Sequence, residues 1–90
     1  MDINNSHDIA NLTQEILTSL GYTTNSTPHQ LTDRQAAQAL GVKPSTLAVW
    51  RSTGRYRLPY TKVGRLVRYR VHDLAVFLAN RVIHHTGEKI

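Results

Sequence analysis

The 90-residue chain has no cysteine, one tryptophan, one phenylalanine and no long apolar run. Without cysteine it can build neither a disulfide framework nor a thiolate zinc site, which suits a reducing compartment, and a cytoplasmic, nucleoid-associated location is expected. No stretch approaches the ~18 apolar residues of a membrane span, and the first 30 residues hold neither Lys nor Arg for the basic end of a signal peptide. Neither segment is expected. A chain this short buries only roughly 60% of its unfolded surface, which disfavours a deep catalytic cleft. Paired carboxylates and a Gly-rich phosphate loop are missing, and His72-Asp73 lacks a nucleophile, so the expectation is no enzyme. The histidines offer no metal set: His84 and His85 are adjacent, about 100° apart on a helix, with only Glu88 near them. No cofactor, metal or small-molecule ligand is expected.

What is abundant is positive charge, unevenly placed. Residues 1–30 carry Asp2, Asp8 and Glu15 with no basic residue, whereas residues 31–90 hold all eleven Lys and Arg against Asp33, Asp73 and Glu88, a net of +8. Eight of the eleven are Arg, the side chain that grips phosphate as a bidentate fork, so a polyanionic partner is implied.

Three regions emerge. Residues 1–30 read as an amphipathic helix and a linker: Ile9, Leu12, Ile16 and Leu20 recur at helical spacing over residues 7–20, with Ser6 placed to cap and Gly21 to terminate. The stretch from Tyr22 to Gln30 is rich in Thr, Asn and Ser and reads as a nine-residue linker. Residues 31–83 read as the principal domain and residues 84–90 as a tail.

Within that domain, Thr32-Asp-Arg-Gln35 is a capping box with Leu31 and Ala36 as its staple, opening a helix that stops at Gly41. Lys43-Pro44 opens a second helix, with Leu47 and Trp50 facing inward and Gly54 ending it. Two short helices across a Gly41-Val42-Lys43 turn form a helix-turn-helix pattern. Tyr60–Val63 and Leu66–Tyr69 then read as a hairpin around Gly64-Arg65, in one of two registers. A two-residue turn pairs Val63 with Leu66. A three-residue loop instead puts Thr61, Val63, Val67 and Tyr69 on one face and Lys62, Arg68 and Arg70 on the other, and its separation of apolar from basic residues makes it the preferred register. A last helix spans residues 71–83, with Leu74, Phe77 and Leu78 as its core stripe. Val76, Ala79 and Ile83 form a second stripe to be covered by helix 7–20, from the same chain or another. The long linker favours the second arrangement, self-association through Ile9, Leu12, Ile16, Leu20, Val76 and Ile83.

With Leu47 and Trp50 inward, the second helix turns Ser45, Thr46, Ala48, Val49 and Ser52 outward. That face is small, hydroxylic and apolar where a solvated face carries long charged residues, and it suits close approach to base edges. Lys43, Arg51 and Arg55 flank it as phosphate contacts, and Tyr56 is placed to reach the backbone through its hydroxyl. Arg65 at the hairpin tip suits the minor groove, with Lys62 and Arg68 on the strands.

From Leu31 to Leu78 the stretch LTDRQAAQALGVKPSTLAVWRSTGRYRLPYTKVGRLVRYRVHDLAVFL resembles the small winged helix-turn-helix domains of the excisionase and AlpA-like group, relatives of the MerR-type head, over 48 of 90 residues. The resemblance rests on the Leu31-Thr32 box, Ala36-Ala37, Gly41-Val42, Ser45-Thr46-Leu47, Trp50, Gly54, Leu58-Pro59, Gly64-Arg65, Arg68-Tyr69 and Asp73-Leu74. Arg70 departs from it, standing where a Ser or Thr cap is common, and residues 1–30 lie outside it. It implies a mainly α fold with a small hairpin, a winged helix-turn-helix, to which the helix read at 7–20 adds an extra N-terminal helix. It implies a recognition helix in the major groove and a wing on the backbone or minor groove of duplex DNA, often with bending of the DNA. The expected role is an architectural recombination directionality factor partnering a tyrosine-type integrase, assembling as a homo-oligomer on DNA. The alternative is a small AlpA-like transcriptional regulator.

Overall fold

The computed structural model describes residues 3–23 and 26–81, with the side chains of residues 3–8 excepted. Helix α1 spans Ile3–Ser19, so Ser6 lies inside the helix and not at its cap. Its end follows the local chemistry. Gly21 adopts a φ of 90°, and the amides of Gly21 and Tyr22 donate back to Thr18 and Leu17, the paired bonds of a Schellman motif. Ile16 and Leu17 are buried, and Ile9, Leu12, Leu20 and Tyr22 pack against the same core.

Strand β1 (Gln30–Thr32) shortens the expected linker and leads into helix α2 (Asp33–Leu40). The capping box forms in full: the Gln35 amide donates to Thr32 Oγ1 and the Thr32 amide to Gln35 Oε1, both at 3.0 Å. Gln35 Nε2 also donates to the Tyr22 hydroxyl at 2.8 Å, which ties the segment after α1 to the start of α2. Gly41, at φ 73°, ends α2, and the Val42 amide bonds the Ala37 carbonyl to complete a second Schellman turn. Pro44 opens helix α3 (Pro44–Thr53), whose cap, Lys43, contributes only its carbonyl, accepting from the Thr46 and Leu47 amides. Leu47 is buried, whereas Trp50 is half-buried and stacks on neighbouring rings, so α3 is held to the core chiefly through Leu47.

Strands β2 (Thr61–Val63) and β3 (Leu66–Arg70) complete an antiparallel sheet of order β1-β3-β2. Val63 pairs with Leu66, Lys62 with Val67 and Thr61 with Arg68, so the hairpin takes the two-residue turn and not the expected three-residue loop. Two features decide this. Gly64 alone in the turn has positive φ, 61°, as the first position of a type II′ turn demands. In addition β1 pairs Leu31 with Tyr69, and both are buried. Alternation then puts Val67 and Tyr69 on one face with the exposed Lys62, and Thr61, Val63, Leu66, Arg68 and Arg70 together on the other. Lys62 is thereby separated from Arg68 and Arg70, with which it was expected to share a surface.

Helix α4 (Val71–Ala79) follows β3 without a break. Arg70 supplies no side-chain cap; the Val71 amide donates instead to the His29 carbonyl at 3.0 Å. The helix ends at Asn80, earlier than expected, and Ile83 lies outside the described residues. Leu74 and Ala75 are fully buried, and α1 lies along α4 in the same chain. The apolar stripe of α1, expected to serve self-association, is therefore occupied by its own domain. Val76 is not among the residues packed on that core; it lines a surface depression with Tyr56, Arg57, Pro59 and Arg81, to which α1 contributes nothing.

Candidate nucleic-acid interface

Helix α3 is fixed by a glycine turn before it and a buried Leu47 beneath it, which leaves its opposite side open. Ser45, Val49 and Ser52 are exposed, Val49 at 56%, while Thr46 and Ala48 are partly covered. The Ser52 and Thr53 hydroxyls both bond the Val49 carbonyl, so they fold against the helix and leave its surface smooth. Ala48, Val49, Arg51 and Ser52 meet Tyr60 and Lys62 across an open depression of about 480 Å³. The observed register produces this arrangement, because it turns Lys62 towards α3. Lys43, beside Pro44 at the N-terminus of α3, is also exposed.

Arg51, expected to contact phosphate, is engaged within the fold. Its Nη1 donates to Asp33 Oδ1 and to the Tyr69 hydroxyl, each at 3.0 Å, and its side chain is only 19% exposed. The guanidinium carbon also lies 5.8 Å from the centre of the Tyr60 ring. The hydrogen bond with Tyr69 and the nearby Asp33 carboxylate raise the Arg51 pKa further above its ordinary value, and burial pushes the Tyr69 phenol up. Arg51 is thus a clasp joining α3 to the first turn of α2 and to β3. Nothing local in the sequence distinguishes it from a surface arginine, since both partners are 18 residues away.

Tyr56 is also engaged, though less completely. It has a φ of 68° and Arg57 one of 52°, a left-handed pair that costs a bulky residue on the order of 1–3 kcal/mol and needs compensation from packing. The Tyr56 ring stands edge-on to Trp50 at 4.8 Å, with the Arg55 and Arg81 guanidinium carbons each 4.9 Å from its centre. Arg81 also lies 3.9 Å from the centre of the Phe77 ring. Tyr56 and Arg55 nevertheless remain exposed.

On the hairpin Arg65 occupies the exposed turn, as expected. Arg68 is half-buried and donates to the Val67 carbonyl at 3.1 Å, and Arg70 Nε lies 3.9 Å from Asp73 Oδ2. The structure thus brings Ala48, Val49, Ser52 and Lys62 together, with Arg51 at the same depression but bonded to Asp33 and Tyr69, and Arg65 out on the wing. It also exposes two residues that sequence reasoning had placed otherwise, Val63 and Leu66. A glycine at the first position of a two-residue loop was the signal for them.

A helix-turn-helix whose second helix is open and flanked by a β-hairpin defines the winged helix-turn-helix class. A family model described as a helix-turn-helix domain matches residues 31–82, and the chain belongs to this AlpA/excisionase-like family of DNA-binding helix-turn-helix proteins. Such domains are typically non-enzymatic. Comparison with curated proteins and with solved structures gave no match. Among the described residues, no helix is long and apolar enough to cross a membrane.

Proposed function

We propose that the chain binds specific sites in duplex DNA and acts architecturally, as a recombination directionality factor that favours excision by a partner integrase of a mobile element. The observation that carries the DNA-reading part is the outer face of α3. Thr46, Ala48 and Val49 offer a hydroxyl and methyl groups at a surface free of long side chains, suited to base edges and thymine methyls in the major groove. Lys43 and Lys62 border that face and Arg65 extends the contact along the wing, so phosphates hold the register while α3 reads sequence. Assembly of several copies on adjacent sites would use surfaces other than the α1 stripe, which is buried at Ile16.

The recombination role follows the resemblance to excisionases, and the test addresses it directly. Excision of an integrated element is measured with its integrase, with and without this protein, beside a reporter driven by a promoter carrying the bound site. Excision that depends on the protein supports the proposal. A change in the reporter with no effect on excision assigns the chain to transcriptional regulation. Binding itself is read from its salt dependence: with ~5 phosphates neutralised, log K against log salt has a slope near −4.5, and a flat response removes the electrostatic basis.

A further inference from the structure

The wing ends in an apolar pair that the fold does not use. Val63 and Leu66 are direct cross-strand partners on either side of Gly64-Arg65, so their side chains stand together on one face of the hairpin. They are 67% and 57% exposed, the highest values among the exposed large apolar residues described, and strand formation does not require aliphatic side chains there, since Thr is also favourable in strands. The same face carries Arg68 and Arg70, and Arg65 projects from the turn between the pair. An apolar tip backed by guanidinium groups is complementary to a polyanion with an apolar interior. The base stack of duplex DNA, reached through the minor groove, is such a target. A tip two side chains wide also suits a groove about 6 Å across, where a whole ribbon does not fit.

We infer that Val63 and Leu66 form a wedge that enters the minor groove beside the site read by α3 and partly unstacks a base step, while Arg65 holds the groove's phosphates or base edges. This rests on the proposed duplex binding; a wing in the minor groove and bent DNA are what the family implies, and the inference adds the apolar pair and the base step it unstacks. Wedges of this type kink DNA by roughly 20–90° towards the major groove, at the cost of unstacking the step they enter. A flexible pyrimidine–purine step, or one already unpaired, lowers that cost and is therefore preferred under the wing.

The test uses the full chain and a duplex that it has itself selected from a randomised pool, labelled at both ends for energy transfer. In a second duplex the base step under the wing, located by footprinting, is replaced by a two-base mismatch. The wild type is expected to bend the first duplex and to bind the mismatched one about tenfold more tightly. The double variant Val63→Thr, Leu66→Thr keeps β-branched or strand-compatible side chains at exposed positions. It is expected to melt at the wild-type temperature, retain the salt slope, and lose both the bend and the preference for the mismatch. Bending and mismatch preference that survive in this variant overturn the wedge. So does a variant whose DNA behaviour is unchanged but which no longer associates with a second copy or with an integrase, since the pair then serves a protein contact. Failure of the wild type to bind any duplex in a salt-dependent way defeats the underlying DNA-binding reading, and is seen before the variant is made.

Discussion

Helix α3 and the wing invert each other's polarity. On α3 a charged residue, Arg51, is partly covered and satisfied by Asp33 and Tyr69; on the wing two aliphatic residues, Val63 and Leu66, are turned outward and left mostly exposed. A cation with only 19% of its side chain exposed is stable when its hydrogen bonds are met, so Arg51 has a structural duty. An aliphatic pair this exposed gains little from folding, which is the basis for the proposed contact of Val63 and Leu66 outside the chain. Charge alone therefore does not sort the proposed DNA contacts: one arginine expected at the interface is a clasp within the fold, and the proposed wing surface includes an apolar pair.

The largest expected effect lies on neither element. Deleting residues 1–27 removes Ile16 and Leu17, each buried side chain contributing ~1.5–3 kcal/mol, from a domain whose total stability is on the order of 5–15 kcal/mol. The truncated chain should melt far below the full one or fail to fold, measured by circular dichroism. An unchanged melting curve would show α1 to be an appendage. Arg51→Met comes next: it leaves Asp33 and Tyr69 without their donor and should cost about 1–3 kcal/mol of stability while the salt slope of DNA binding stays constant. A slope that falls by about one unit would instead place Arg51 on a phosphate and erase the contrast with the wing.

Thr46→Ala and Val49→Ala are expected to narrow the gap between specific and random DNA by ~1–3 kcal/mol with little change in non-specific affinity. Equal losses on both DNAs would mean that this face does not read bases. Arg65→Ala should reduce the salt slope by ~0.9 and leave the melting temperature in place, because a side chain at an exposed turn has little to pack against. The smallest effect concerns pH. Burial holds the Tyr69 phenol above its usual value near 10 despite the opposing hydrogen bond from Arg51. The folded chain thus keeps a proton that the unfolded chain releases, so this contribution is complete below about pH 10 and is lost as pH rises through the higher folded value. Stability measured across that alkaline range should decline less steeply in Tyr69→Phe, and parallel curves would show that Tyr69 is not the group involved.

Elements whose cause lies within a few residues were legible in the sequence. The capping box of Thr32 and Gln35, the glycine stops at Gly21, Gly41 and Gly54, and Pro44 at the first helical position each act through one turn of backbone, and all are where the sequence puts them. The outward face of α3 was legible for the same reason, since one inward residue, Leu47, orients the whole helix. The start of α1 was misplaced because Ser6 is as compatible with a helix interior as with a cap once apolar packing further along holds the helix in place.

Local chemistry in this sequence determined a helix-turn-helix followed by a hairpin, and the excess of arginine determined the kind of partner. Tertiary structure alone decided the rest. Strand β1 exists because Leu31 pairs with Tyr69 across 38 residues of sequence, and that pairing, with Gly64, selects the hairpin register. The register in turn puts Lys62 beside α3 and exposes Val63 and Leu66. Arg51 became a clasp because folding brings Asp33 and Tyr69 to it, and the stripe of α1 was buried by α4 before any partner could use it. Short-range hydrogen bonding is written in neighbouring residues, whereas burial and pairing depend on which distant surface arrives, and for this chain that surface separates the residues that hold the fold from those left free for DNA.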